Sequence, residues 1–290
     1  MRGCAGELVI VNRSRDKAKG MATDMGYGAP LSSTTGVTDG DYSDLAGAAL
    51  VMITVGVNEK TGGATDRKDP LGRLRLLDKN AEVYREVIPL ISAAAPDAVL
   101  LVVTDPPDPL AYLTRELAGH DRVLSTGTLL DSLRFRLHLA RKLKVAPADM
   151  EAQVLGEHGT SQIFHWSAAR VASLPIADAL EQSGLHDDDF RTEIESDVRY
   201  ANITIIEGIG ASQYGIGMVC ARIAEIVLRD ERAVVPIGVY NSNLRVTLSL
   251  PSVVGRNGCL QVLNPPLSND ERIGLEKCVE TLRKAQERIR

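Results

Sequence analysis

The sequence predicts an α/β protein that begins with a doubly wound parallel sheet and continues into an α+β domain. Short apolar runs alternate with helical patterns over residues 1–125, as expected for parallel strands that are buried on both faces. From residue 128 the pattern changes to longer helices and mixed strands. We therefore place a domain boundary near Ser125, which divides the chain into residues 1–125 and 126–290.

Apolar runs of strand length and amphipathic stretches of helix length define the elements. The first half is predicted to contain strands at residues 7–11, 48–55, 98–103 and 122–125, and helices at residues 14–25, 72–95 and 109–117. The second half is predicted to contain helices at residues 128–144, 188–207, 212–229 and 270–290, and strands at residues 153–155, 164–172, 234–240 and 246–250. The Gly- and Thr-rich stretch 58–72 is a long loop beside a strand end, where a mobile lid would lie.

The composition is that of an ordinary globular protein and excludes several classes of function. Of its 290 residues 44% are hydrophobic and 24% charged, and the net charge of −5 comes without a clustered basic face for nucleic acid. The four cysteines are far apart and form no metal-ligand spacing. No apolar run approaches the roughly 20 residues of a membrane span, and the amino terminus shows no secretory signal. We expect a cytoplasmic protein without a metal site.

His158 is the first candidate for chemistry. It follows a short apolar strand and is flanked by Glu157 and Gly159, so it would face an adjacent crevice. An imidazole titrates near neutrality and can accept and return a proton. A structural, hydrogen-bonded His is the alternative.

Asp131 and Arg134 lie three residues apart on a predicted helix and therefore share a face. The Asp could orient an imidazole, and the Arg could bind a carboxylate through two parallel hydrogen bonds. The alternative is an acidic residue that favours the helix dipole beside a solvated Arg.

Arg73 follows the long loop and could be delivered to a closing site, although a solvated Arg at a helix start would look the same. Ser212 follows a flexible Gly-Ile-Gly turn. It could line a pocket or cap the next helix.

Taken together, these segments resemble the lactate/malate dehydrogenase family. The matching stretches occur in the family's order at residues 7–25, 73–90, 131–136, 156–161, 208–217 and 250–257. The resemblance implies a Rossmann-like domain that binds a dinucleotide, followed by a domain that carries the catalytic His.

The resemblance also implies roles for the candidate residues. His158 would exchange a proton with the C2 oxygen of the substrate, and Asp131 would hold its imidazole. Arg134 would bind the substrate carboxylate, Arg73 would polarise the carbonyl, and Ser212 would lie near the substrate. Hydride addition to a ketone places negative charge on oxygen, so a proton donor and a fixed cation suit that site.

The expected cofactor is NAD, with NADP as an alternative. The resemblance implies that Val55, Gly56 and Thr104 contact the dinucleotide. Where the family has an acidic residue on the adenine ribose, this chain has Asn12 followed by Arg13, which would not repel a 2′-phosphate. The family's opening strand and glycine-rich phosphate turn are not found ahead of residue 7, which suggests a misplaced start or a truncated chain.

Two substrate positions depart from the family pattern. Asp105 stands where the family usually has Asn, and an ionised carboxylate cannot donate a hydrogen bond to the substrate oxygen. The loop before Arg73 carries an insertion. Arg67, six residues before Arg73, would suit the second carboxylate of malate.

We expect an NAD(P)-dependent L-2-hydroxy acid dehydrogenase that acts on L-lactate and pyruvate. A malate dehydrogenase is the first alternative. A non-catalytic binding protein on a decayed dehydrogenase scaffold is the second. The resemblance further suggests that the protein forms a homodimer or homotetramer. It also suggests that the molecule bound by the protein is a small 2-oxo or 2-hydroxy carboxylate substrate.

Overall fold

The computed structural model describes residues 3–31, 36–69, 71–185 and 188–290. Its strands are β1 Glu7–Val11, β2 Gly36–Gly40, β3 Leu50–Ile53, β4 Val99–Val102, β5 Val123–Ser125, β6 Met150–Glu151, β7 Val154–Leu155, β8 Ile163–Phe164, β9 Arg170–Val171, β10 Leu174–Pro175, β11 Ala233–Asn241, β12 Val246–Gly255 and β13 Gly258–Val262. Its α-helices are α1 Arg15–Gly28, α2 Glu59–Gly62, α3 Leu77–Ala94, α4 Pro107–Ala118, α5 Leu129–Leu143, α6 Ile176–Gln182, α7 Asp188–Arg199, α8 Ala201–Ile209, α9 Tyr214–Leu228 and α10 Asn269–Arg288.

The main sheet has six strands in the order β13-β12-β11-β5-β4-β3. Strands β3, β4 and β5 are parallel, whereas β11, β12 and β13 are antiparallel to their neighbours. The two halves join where Gly238 of β11 pairs with Ser125 of β5. The predicted α/β class is confirmed, and the sheet is mixed because C-terminal strands extend it. The division near Ser125 stays a prediction, since the sheet crosses that point.

Helices cover both faces of this sheet, which explains the unbroken apolar sequence of β4. Leu100 and Val102 pack in a core that includes α3 and α4. Val99 and Leu101 point to the opposite face and pack in a core that includes α9. Side chains alternate between the two faces of a strand, so a strand covered on both sides needs apolar residues at every position.

Strands β1 and β2 form a separate parallel pair. The described residues contain no strand that pairs with both β1 and β3. The sequence did not indicate β2, whose residues are Gly-Val-Thr-Asp-Gly. Its position depends on close packing: a side chain at Gly40 would approach Val9 Cγ1 to 2.5 Å.

The C-terminal half has its own aromatic core. Phe135 of α5 lies edge-on against Phe164 and Trp166, with ring centroids 5.2 and 4.8 Å away. Trp166 also donates a hydrogen bond from Nε1 to Glu195 Oε1 over 2.8 Å. These contacts hold a short 3₁₀ turn at Trp166–Ala168, and the continuous strand predicted at residues 164–172 is therefore wrong.

Other element boundaries also differ from the predicted ones. The helix predicted over 188–207 is broken at Tyr200, between α7 and α8. The helix predicted from residue 72 begins as a 3₁₀ turn at Gly72–Leu76. Strand β12 runs on to Gly255 and turns into β13, which the sequence did not indicate. Across all described residues, no helix is both long enough and apolar enough to cross a bilayer.

Candidate active site

A cleft of about 290 Å³ lies at the carboxyl ends of β3 and β4. Open α/β sheets bind their ligands at this edge, because the loops leaving parallel strands converge there. The cleft is lined by Thr54, Gly56, Val57, Asn58, Glu59, Arg73, Val103, Thr104, Asp105, Thr126, Leu130, Arg134, His158, Asn202, Ser212 and Ile216. Residues predicted from separate parts of the sequence thus share one cavity.

His158 is oriented from two sides. Its Nδ1 forms a hydrogen bond with Asp131 Oδ2, and its backbone N–H donates to Asp108 Oδ2 over 2.7 Å. The Asp108 carboxyl also accepts from Ser125 Oγ at 2.6 Å. With Nδ1 committed to Asp131, Nε2 is the ring nitrogen left to exchange a proton in the cleft.

Asp131 is buried and remains ionised. Burial by itself would raise its pKa, but the charge of His158, the hydrogen bond from His158 and the nearby Arg134 bring the pKa down to about 2. Arg134 donates from one terminal nitrogen to Asp131 Oδ1 over 3.1 Å. Burial lowers the pKa of Arg134, and the Asp131 charge opposes that shift. The buried Asp131 carboxylate therefore holds both the His158 imidazole and the Arg134 guanidinium in position.

Arg73 enters the cleft from the 3₁₀ turn at the end of the loop. Its side chain is only 9% exposed, and its Nε lies 3.3 Å from Asp105 Oδ2. This contact lacks hydrogen-bond geometry, so the Nε donor has no partner among the described residues. A buried donor without a partner is costly, and a ligand oxygen could satisfy it.

Asp105 lies between the basic groups. Its Oδ1 is 3.8 Å from His158 Nε2, and its backbone oxygen accepts from Asn80 Nδ2 over 2.7 Å. Asn80 also accepts a hydrogen bond from the Val57 N–H at 2.6 Å. It therefore links the loop that follows β3 to the loop that follows β4. Sequence reasoning did not select Asn80, although its spacing of seven residues from Arg73 could have indicated a shared helix face.

Several other residues of the site were also missed. Asp108 lies three residues after Asp105, and Asn202 lies on α8. Glu59 lies on the short helix α2 within the loop. No spacing in the sequence points from Glu59 to the cleft.

Arg67 does not line the cleft. Its guanidinium binds Glu207 of α8 through contacts of 3.0 and 3.1 Å and donates to Thr204 Oγ1 over 3.0 Å. These contacts attach the loop to α8 and turn the cation away from the catalytic groups. Its assignment to substrate stays a prediction.

Ser212 lines the cleft and does not cap a helix, because α9 begins at Tyr214 and has Gln213 at its N-cap. Asn12 and Arg13 lie at the end of β1, outside the cleft. The Asn12 side chain accepts a hydrogen bond from the Ser14 N–H over 2.9 Å.

The cleft suits a flat, partly apolar ligand beside a polar one. Val103, Leu130 and Ile216 provide apolar lining next to the charged set. Gly56 lines the cleft at the end of β3, whereas the half-exposed Val55 beside it is not among the lining residues. Within the described residues, no group of three or more His, Cys, Asp or Glu is arranged to hold a metal ion.

The Gly56→Ala substitution is expected to disturb the packing at the carboxyl end of β3 and to destabilise the protein. Gly56 has a φ of 149°, and an added Cβ would lie 2.7 Å from both Asn80 Oδ1 and Thr104 Cγ2. We expect a loss of about 1–3 kcal/mol of stability, the usual cost of overpacking, seen as a lower Tm in scanning calorimetry. Gly20→Ala in α1, where the added Cβ meets nothing within 4 Å, is the control. An equal Tm for the two variants would contradict the packing argument.

The arrangement can bind an anion and move a proton. Two guanidinium groups and an imidazole face one small cavity, and a buried carboxylate balances part of their charge. Such a set can hold a carboxylate, stabilise negative charge that develops on a nearby oxygen, and protonate that oxygen.

Two family models together match nearly the whole chain. Residues 1–125 match the NAD binding domain of lactate/malate dehydrogenase, and residues 128–290 match the alpha/beta C-terminal domain of the same family.

Curated relatives and solved structures agree with this match. L-lactate dehydrogenase of Deinococcus radiodurans is 44% identical, over 98% of this chain and 91% of its own length. The Thermus aquaticus L-lactate dehydrogenase is 38% identical over 98% and 92% of the two lengths. A lactate dehydrogenase from a deep-sea metagenome library superimposes with a TM-score of 0.90 at 32% identity, over 99% of this chain and 91% of that one. The minor L-lactate dehydrogenase of Enterococcus mundtii gives a TM-score of 0.89 at 31% identity, with the same coverage.

Proposed function

Because the chain belongs to the lactate/malate dehydrogenase family, we propose that it is an NAD-dependent L-lactate dehydrogenase that interconverts L-lactate and pyruvate. The observation that carries the proposal is the meeting of His158, Asp131, Arg134 and Arg73 in one cleft. The curated relatives named above are L-lactate dehydrogenases, which supports the choice of substrate.

The proposed mechanism assigns each charged group one task. Arg134 binds the pyruvate carboxylate through its planar guanidinium. The unpaired Nε of Arg73 donates to the C2 oxygen and stabilises the negative charge that develops there. His158 Nε2 gives its proton to the same oxygen, and Asp131 stabilises the protonated imidazole beforehand. A nicotinamide cofactor, when bound in the cleft, would supply the hydride.

The proposed cofactor site runs along the carboxyl ends of the parallel strands. Val55, Gly56 and Thr104 would lie beside the nicotinamide half, where the apolar lining of the cleft suits a flat ring. Asn12 and Arg13 would lie near the adenine ribose. Since neither residue is a carboxylate that repels a 2′-phosphate, NADP remains an alternative to NAD.

Pyruvate is favoured over oxaloacetate by the charge inside the cleft. Arg67 is bound to Glu207 and does not face the substrate groups. The cleft instead contains the carboxyl groups of Glu59 and Asp105, which would repel a second substrate carboxylate. We therefore rank malate below lactate.

The protein is proposed to act in the cytoplasm and to form a homodimer or homotetramer. Tyr214 and Met218 of α9 are 78% and 56% exposed, and apolar side chains on one helix suit a contact between subunits. Neither the net charge of −5 nor the fold suggests a nucleic-acid partner.

The test is a spectrophotometric assay of NADH and NADPH oxidation with pyruvate and with oxaloacetate. We expect turnover with pyruvate and a kcat/KM for pyruvate at least about tenfold above that for oxaloacetate. An electrostatic penalty of about 1.4 kcal/mol for the second carboxylate of oxaloacetate is enough to give this ratio. Equal turnover with both cofactors would support the NADP alternative. A preference for oxaloacetate would favour malate. No turnover under any condition would favour the non-catalytic binding protein.

A further inference from the structure

Asn202 is a buried amide in the wall of the cleft. It lies on α8, is only 6% exposed, and lines the cavity that also contains Arg134 and His158. Its side chain makes no hydrogen bond with any residue that the structure describes. An amide has two donor hydrogens and an acceptor oxygen, and burying these groups without partners is costly. A ligand in the cleft could supply the missing partners.

Other polar groups of the lining differ from Asn202 because they already have partners within the protein. Asn58 Oδ1 accepts a hydrogen bond from the Thr61 N–H over 2.9 Å at the start of α2. Thr104 Oγ1 donates to the backbone oxygen of Val55 over 2.8 Å. These bonds hold the loops that leave β3 and β4, whereas the Asn202 amide holds no such contact in the described part of the chain.

The local structure favours an apolar residue at position 202. The other buried residues of α8 are Ile203 and Ile206. Asn is a weaker helix former than Ala or Leu, and it is seldom found in the protein interior. An apolar side chain would therefore cost less at this position. The amide is best explained by what it meets in the cleft.

Asn202 belongs to the part of the cleft that would hold the substrate. Like Arg134 and His158 it comes from the C-terminal half of the chain, whereas the proposed cofactor site lies at the ends of β3 and β4. In the proposed mechanism Arg134 binds the substrate carboxylate, and His158 and Arg73 act on the C2 oxygen. The substituent on C3 is the part of the substrate that these groups leave without a partner.

The charges of the cleft favour a neutral substituent on C3. Asn202 is uncharged, and the carboxyl groups of Glu59 and Asp105 line the same cavity and would repel an anionic substituent. A hydroxyl group can donate to the amide oxygen and accept from the amide nitrogen. An apolar group of the same size would leave the amide buried without a partner. Sites built to bind a hydroxyl group use this penalty to reject the analogue that lacks it.

We propose that Asn202 is a specificity-determining residue that binds a hydroxyl group on C3, so that the protein reduces 3-hydroxy-2-oxo acids in addition to pyruvate. This rests on the proposed function, because it concerns the substrate of that same site. The C3 hydroxyl is unchanged by the reaction. C2 receives a hydride as the reduced nicotinamide is oxidised, the C2 oxygen receives the proton of His158, and a 2,3-dihydroxy acid forms.

Asn202→Leu is the deciding variant, because leucine keeps a branched side chain but cannot form a hydrogen bond. The two test substrates are 3-hydroxypyruvate and 2-oxobutanoate, which differ only by a hydroxyl group in place of a methyl group. For each protein, kcat/KM for 3-hydroxypyruvate is divided by kcat/KM for 2-oxobutanoate. The intrinsic reactivity of the two substrates cancels when the ratios of parent and variant are compared. We expect the ratio to fall at least about tenfold in Asn202→Leu.

Two further variants act as controls. Asn243→Leu changes an exposed Asn in the turn between β11 and β12, outside the cleft lining, and should keep the parent ratio. Asn202→Ser keeps a hydrogen-bonding group and should keep more of the ratio than Asn202→Leu. Unchanged circular dichroism and Tm establish that each variant is folded. If Asn202→Leu raises the KM for NADH equally with both substrates and leaves the ratio unchanged, Asn202 serves the cofactor and the proposal is overturned.

Pyruvate separates this proposal from the proposed function. If the parent reduces pyruvate but its ratio equals that of Asn202→Leu, the role of Asn202 is wrong and the proposed function stands. If the parent reduces no 2-oxo acid, the proposed function fails, and the claim about the C3 hydroxyl falls with it.

Discussion

Replacing His158 with Asn is expected to lower kcat for pyruvate reduction by about 10²–10⁴-fold, the usual contribution of a positioned general acid or base. The Nδ1 contact with Asp131 and the position of Nε2 beside Asp105 make this imidazole the proton donor of the cleft. An amide fills similar space but cannot transfer a proton at neutral pH. Because Arg134 is left intact, the KM for pyruvate should change by much less than kcat.

His138→Asn is the matched control for His158→Asn. His138 lies on α5, the helix that carries Asp131, but its imidazole pairs with Asp197 at 3.6 Å and does not line the cleft. Both variants are assayed by steady-state kinetics at several pH values. If the two lose equal activity, or if His158→Asn keeps more than about a tenth of kcat, the proposed role of His158 is wrong.

Replacing Arg134 with Gln is expected to lower kcat/KM for pyruvate by roughly 30- to several-thousandfold, which corresponds to the 2–5 kcal/mol lost when one partner of a buried charge pair is removed. The change removes the guanidinium that would bind the substrate carboxylate. It also removes a cation that lies 3.1 Å from the buried Asp131. Most of the loss should appear in KM.

Arg134→Lys separates charge from geometry. Lysine keeps the positive charge but cannot make two parallel hydrogen bonds, so we expect an intermediate loss. Arg141→Gln, at an exposed position of the same helix, should leave the kinetics unchanged. Equal activity of Arg134→Lys and the parent would show that a point charge is sufficient and that the bidentate contact is not used.

The sequence was most informative where local pattern and chemistry coincide. The unbroken apolar run of β4 predicted a strand covered on both faces, and the cores on its two sides have that arrangement. The order of six short stretches identified the family before any geometry was known, and the match of residues 1–125 and 128–290 to its models confirms it.

Elements that depend on distant contacts could not be predicted in this way. Strand β2 has no strand-like composition and exists because β1 pairs with it. The turn at Trp166–Ala168 replaces a predicted strand because Trp166 packs on Phe135 of helix α5. In each case a partner far along the chain outweighs local propensity.

The sequence by itself determined the fold class, the family and the candidates His158, Asp131, Arg134 and Arg73, because these follow from residue type and order. Only the tertiary structure decided which charges meet. It paired Arg67 with Glu207 of α8 outside the cleft lining, and it placed Glu59 of the loop in the same cleft as Asp105. The physical reason is that the charge of a site depends on distances of a few ångströms between side chains, and a loop with an insertion leaves those distances open until it packs against the rest of the molecule.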